Sequence, residues 1–72
     1  MKNHLERLRR RDNLTQDMLA EALSVSRQTI SSIENGRYNP SIELAFKLAR
    51  FFNVTIEEVF IYEEDDDATN QT

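Results

Sequence analysis

Arg27, Gln28, Ser31, Ser32 and Asn35 place a guanidinium, two carboxamides and two hydroxyls within nine residues, a stretch that holds no Lys and a single acid, Glu34. At roughly 100° per residue, Ile30 and Ile33 mark the buried direction of a helix through this stretch. Gln28, Ser32 and Asn35 then point away from that direction, and Ser31 lies on their margin. Arg27 stands about 90° to one side, at the helix start, and Glu34 about 70° away, partly inward. A face built of amides, hydroxyls and one guanidinium matches the donors and acceptors on base edges. Gln pairs with adenine, Arg with guanine, and Ser with several acceptors. An ordinary solvated face is richer in Glu and Lys.

Other chemistries have little to work with. There is no Cys, so no disulfide, thiolate metal site or Cys nucleophile can form. His4 is the single histidine and has no second ligand at helical spacing, so no metal is expected. No nucleophile–base pair or phosphate loop is present, so neither an enzyme nor a cofactor is expected, and no small-molecule ligand is evident. No apolar run reaches the roughly 18 residues of a membrane span. The start of the chain, Met1-Lys2-Asn3-His4, lacks an apolar signal region, so a cytoplasmic location is expected.

The elements that must position the polar face are helical. Leu5, Leu8 and Arg9 share one side of a first helix, from about Lys2 to Arg11. Asp12-Asn13 is a turn, and Thr15 caps a second helix to about Leu23, with Leu19, Ala22 and Leu23 on one face. Ser24-Val25-Ser26 breaks it, and Ser26 caps a third helix over 27–35, stopped by Asn35-Gly36. Two short helices joined by a three-residue turn have helix-turn-helix spacing. Asn39-Pro40-Ser41 opens a fourth helix, with Ile42, Ala45, Leu48, Ala49 and Phe52 facing the core. Thr55 to Glu58 is a capping-box pattern for a short fifth helix. Val59-Phe60-Ile61-Tyr62 favours β structure and either ends that helix or leaves it as a short strand. The fold class is therefore all-α, with a possible C-terminal strand.

The sequence Leu14-Thr15-Gln16, Leu19-Ala20, Val25-Ser26-Arg27-Gln28-Thr29-Ile30, Ile33-Glu34-Asn35-Gly36 and Asn39-Pro40-Ser41 resembles the Cro/repressor-type (XRE) helix-turn-helix family, over about residues 3–62. The resemblance implies a five-helix, repressor-like DNA-binding domain that acts as a homodimer on near-palindromic double-stranded DNA. It assigns base reading to Arg27, Gln28 and Ser32, beside which the wheel sets Ser31. Gln16 is assigned to a phosphate and to bracing the reading helix, and Thr29 to a phosphate or a thymine methyl. Asn35 and Arg37-Tyr38-Asn39 are assigned to the DNA backbone, through main-chain N–H groups and side chains. Arg9 and Glu34 correspond to a structural ion pair, which the wheel supports independently. One departure is Ser24, where the family often has Gly. Either the turn differs there, or a left-handed Ser costs about 1 kcal/mol or more.

At 72 residues the chain is one small domain at most. Its 9 basic and 13 acidic residues give a net charge of −4, which alone argues against nucleic acid. The average hides a split. Residues 1–50 hold every Lys and Arg and carry +3, whereas residues 51–72 carry −7. The acidic run is expected to form a disordered tail over 63–72, beyond a domain over 1–62, and to serve solubility or to compete with phosphates for the basic face. Phe51, Phe60, Ile61 and Tyr62 are many large apolar groups for so short a chain. They either close the core of the monomer or supply a symmetric dimer interface through helix five and residues 60–62, and the second is the leading expectation, with antiparallel pairing of 60–62 across the two-fold left open. The leading reading is a sequence-specific DNA-binding regulator, a repressor. The alternative is an antitoxin-like or other protein-interaction module whose helix-turn-helix is mainly structural.

Overall fold

The computed structural model describes residues 1–62 and builds them as five helices: α1 Leu5–Arg11, α2 Gln16–Leu23, α3 Arg27–Glu34, α4 Ile42–Phe52 and α5 Ile56–Val59. The acidic segment expected to form a tail, 63–72, lies outside the described residues.

Hydroxyl caps start four of the helices. Thr15, Ser26, Ser41 and Thr55 sit in extended backbone and accept from the N–H three residues on. Each satisfies one amide that the helix itself leaves unpaired. Glu58 completes the box at α5 by accepting from the Thr55 N–H at 3.0 Å.

A second device ends four of them. Asn13, Ser24 and Asn53 lie at φ 59° and Gly36 at φ 81°. In each case the next residue's N–H reaches back five positions, from Leu14 to Arg9, Val25 to Ala20, Arg37 to Ser32 and Val54 to Ala49, at 2.9–3.0 Å. This is the Schellman closure of a helix end. Ser24 is left-handed, so the turn keeps its usual dihedral and carries the cost of a Cβ there.

Leu5, Leu19, Ile30, Ile33, Leu48 and Val59 are fully buried and centre the core. Each contributes about 1.5–3 kcal/mol by leaving water. Two positions depart from the expected faces. Ala22 is exposed and Ala20 is buried: the two flank the Leu19–Leu23 stripe on opposite sides, and the core lies on the Ala20 side. Ile42 is 76% exposed, since the buried stripe of α4 runs through Leu44, Leu48 and Phe52 and a first-turn Ile42 falls beside it.

The ends of the domain meet. The first helix starts at Leu5 rather than Lys2, because residues 2–4 are spent on the C-terminal segment. His4 N–H donates to Val59 O at 2.7 Å, Ile61 N–H donates to Lys2 O at 2.9 Å, and Asn3 bridges antiparallel to Phe60. The extended C-terminal segment thus pairs with the start of its own chain. Phe60 follows a helix of only four residues and falls into the core, 9% exposed. It is therefore removed from the expected dimer interface.

Candidate nucleic-acid interface

The face of α3 is set from behind. Ile30 and Ile33 are fully buried, which turns Arg27 and Gln28 outward as exposed residues and leaves Ser31 and Ser32 half-buried. The side chains of Gln28, Ser31 and Ser32 make no hydrogen bond with other described residues. Their donors and acceptors are open to a ligand. Thr29 differs: its hydroxyl is 2.9 Å from the Ser26 hydroxyl, which leaves the methyl as its outward contact. Arg27 lies 3.6 Å from the Asp17 carboxylate, with both side chains largely exposed. Such a pair contributes about 0–1 kcal/mol and yields readily to a stronger anion.

A charged network fixes the helix from the side. Arg9 Nε donates to Glu34 Oε2 at 2.6 Å and Nη2 to Oε1 at 3.2 Å, while Nη1 donates to Leu14 O at 2.7 Å. Gln16 Nε2 donates to Glu34 Oε1 at 3.0 Å. One carboxylate therefore ties α1, the start of α2 and the last turn of α3 together. Its hydrogen bond drives the Arg9 guanidinium pKa further up, against the opposing effect of burial. Of the two Gln16 N–H groups, one is committed to Glu34 and the other stays available. These elements surround an open polar cleft of about 830 Å³, lined in part by Gln16, Asp17, Arg27 and Ser31.

The turn after α3 uses its polar groups differently from the resemblance. Arg37 N–H donates to both Ser32 O and Asn35 Oδ1, and Tyr38 N–H donates to Ser32 O. Those two amides face the helix end, so only side chains of Arg37 and Tyr38 can meet a phosphate. Among the described residues, neither the Asn39 amide nor the Asn35 Nδ2 group has a hydrogen-bond partner. Tyr38 is 46% exposed and lines a small hollow of about 250 Å³ with Gln28, Thr29 and Ser32. Gln16, Arg27, Ser31 and Asn35 thus line one cleft, and Gln28, Thr29, Ser32 and Tyr38 line a hollow on the same helix.

Of the expected dimer residues, Phe51 is 40% exposed and stacks edge-on against Phe52 at 5.0 Å. Ile61 is half-buried and Tyr62 is 75% exposed. Two exposed groups escaped the sequence reading, Ile42 and Phe46, one turn apart on α4. Asn3 is a third residue that escaped it: the helix predicted from about Lys2 would include it, whereas it precedes α1 at Leu5. Its standing as a preferred cap residue two before Leu5 was the available signal. Among the described residues, no helix is long and apolar enough to cross a membrane.

The profile of the helix-turn-helix family matches residues 5–59. An HTH-type transcriptional regulator of Methanocaldococcus jannaschii is 59% identical over 66 residues, which are 92% of this chain and 100% of that one. The transcriptional activator BcrR of Enterococcus faecalis is 47% identical over 60 residues, 83% of this chain and 29% of its own length. Among solved structures, a transcriptional regulator from Listeria innocua superimposes with a TM-score of 0.73 at 26% identity, covering 99% of this chain and 72% of that one.

Proposed function

The chain belongs to the XRE-type helix-turn-helix family, whose members are transcriptional regulators and not enzymes, and on that footing we propose that it is a dimeric repressor which reads a near-palindromic operator with α3. The observation that carries this reading is the row of polar side chains without a hydrogen-bond partner among the described residues, Gln28, Ser31 and Ser32, on a helix locked by Ile30, Ile33 and the Arg9–Glu34 pair. A free amide at Gln28 reaches an adenine edge, and Arg27 exchanges Asp17 for a guanine in a major groove about 12 Å wide. The Thr29 methyl suits a thymine methyl. Phosphates are met by the second Gln16 N–H, Asn35 Nδ2, the side chains of Arg37 and Tyr38, and the Asn39 amide. These contacts set register, while the α3 contacts carry sequence.

The second copy covers the exposed side of α4 and α5. Phe46 lines a groove of about 580 Å³ with Ala49, Val54 and Ile56, and Ile42 extends the apolar surface one turn away. Arg50 and Glu57 line the same groove, and neither has an ion-pair partner among the described residues. A two-fold copy sets each against the other, twice. Two reading helices then stand about one DNA turn, 34 Å, apart. Repression needs only that the bound dimer occludes a promoter. The similarity to the activator BcrR stops at 29% of that protein's length, so the rest of it lies outside the comparison.

The test is binding to duplexes chosen from a random-sequence pool, titrated at two salt concentrations. Affinity that falls steeply with salt, with a recovered motif, supports the reading. Binding that is weak and alike for all sequences overturns it.

A further inference from the structure

We propose that Asn3 is a positioning residue for the reading helix, and that its carboxamide nitrogen holds the end of α3 and the turn that follows in their binding geometry. The inference rests on α3 being the DNA-reading element.

The two halves of the Asn3 side chain go to different helices. Oδ1 accepts from the Leu5 N–H at 3.0 Å and so starts α1. Nδ2 donates to Ile33 O at 2.8 Å, in the last turn of α3, and also to Met1 O at 3.2 Å. The carbonyl of Ile33 already accepts from the Gly36 N–H at 3.0 Å, within the closure that aims residues 35–39. Asn3 therefore binds α3 where the reading helix hands over to the phosphate-facing turn.

Capping alone does not explain this residue. A cap needs an acceptor, and Ser, Thr or Asp supplies one as well as Asn. Only the carboxamide carries a donor on a second atom, separate from the accepting oxygen, and here that donor crosses to another helix. The anchor behind it is firm, since residues 2–4 are hydrogen-bonded to Val59 and Ile61 and Asn3 bridges to Phe60. The Arg9–Glu34 pair grips the same turn of α3 through a side chain, and Asn3 grips it through a carbonyl. Together they resist rotation of the helix about its own axis.

The test uses the full chain with Asn3→Ser and Asn3→Asp. Both retain a capping oxygen and lose the amide donor, and the uncharged Ser variant separates that loss from the added charge of Asp. Binding is measured to a duplex selected by the wild type and to an unrelated duplex of equal length, beside thermal unfolding and amide exchange. The expected result is a melting temperature lowered by no more than the several degrees that one net hydrogen bond implies, and faster exchange at Gly36 and Arg37. Affinity for the selected duplex should fall about threefold to tenfold, the scale of one net hydrogen bond, with little change on the unrelated duplex. Unchanged exchange and unchanged preference in both variants overturn the inference, as does a loss that is equal on both duplexes in the Ser variant. If the wild type itself prefers no duplex, the DNA reading fails, and exchange at Gly36 and Arg37 still decides whether Asn3 holds the turn.

Discussion

Arg9 and Glu34 meet side-on across 25 residues of sequence, and their side chains are 10% and 6% exposed. The pair stands between the core and the reading helix. Removing one member strands the other away from water. Arg9→Ala is therefore expected to destabilise the fold by about 3–5 kcal/mol, against well under 1 kcal/mol for the exposed Arg10–Glu6 pair. Urea denaturation of Arg9→Ala and Arg10→Ala checks the contrast. Equal midpoints would remove the structural role given to Arg9.

Among the described residues, Ser24 is the one left-handed helix terminus that is neither Asn nor Gly. Its backbone already has the geometry that glycine adopts freely, and its side chain makes no hydrogen bond with described residues. Ser24→Gly is expected to stabilise the protein by about 1 kcal/mol. For a domain of this size that is roughly 4–8 °C in melting temperature. A fall in melting temperature would show that the site does not store that strain.

Glu58 accepts from the Thr55 amide and hydroxyl, and the backbone hydrogen bond foremost holds its carboxyl below the usual glutamate range. The depressed pKa means that its contribution is present above the unfolded value and is lost as pH falls through the folded one. An NMR titration of the side chain is expected to show a lowered midpoint that moves only part of the way back in Thr55→Ala, which removes the hydroxyl and keeps the backbone amide. An ordinary midpoint in the wild type would mean that the box does not persist in solution.

The apolar side of α4 and α5 makes the dimer testable without DNA. Phe46→Lys is expected to halve the sedimentation mass at tens of micromolar protein. Arg50→Glu and Glu57→Arg should each raise the dissociation constant about threefold to tenfold, and the two together should restore it. A wild-type mass of one protomer would remove the dimer. A dimer lost in Tyr62→Lys but kept in Phe46→Lys would move the seam to the C-terminal end.

The caps made much of this molecule legible. Thr15, Ser26, Ser41 and Thr55 announce their helices because a hydroxyl before an apolar-periodic run has one dominant local use. The polar side of α3 was equally open to a wheel, since Ile30 and Ile33 leave a single buried direction. What stayed hidden depends on contacts between distant residues. Nothing near Asn3 in sequence reveals that its amide reaches Ile33, or that residues 2–4 pair with the chain end. The β-favouring run at Val59–Tyr62 reveals extended backbone but not its partner, so the sequence assigns Phe60 to a dimer interface, whereas its side chain lies in the core. The turned-in amides of Arg37 and Tyr38 follow from the left-handed Gly36, whose stop signal was visible although the fate of the next two N–H groups was not.

Arg37 and Gln28 separate positioning from reading. Arg37 has no ion pair among the described residues and lies on the turn beside the reading helix. Arg37→Ala is expected to weaken binding to all duplexes alike and to lower the salt slope by about one. A loss confined to one motif would instead give Arg37 a base contact.

Site selection with the wild type and Gln28→Ala in parallel tests the reading role of α3 most directly. The wild type should recover a motif with paired half-sites. Gln28→Ala should lose about 1–3 kcal/mol on that motif and relax one base position in each half-site, with its affinity for unrelated duplexes unchanged. Identical motifs of equal strength from both proteins, or no motif from either, would contradict DNA reading by this face.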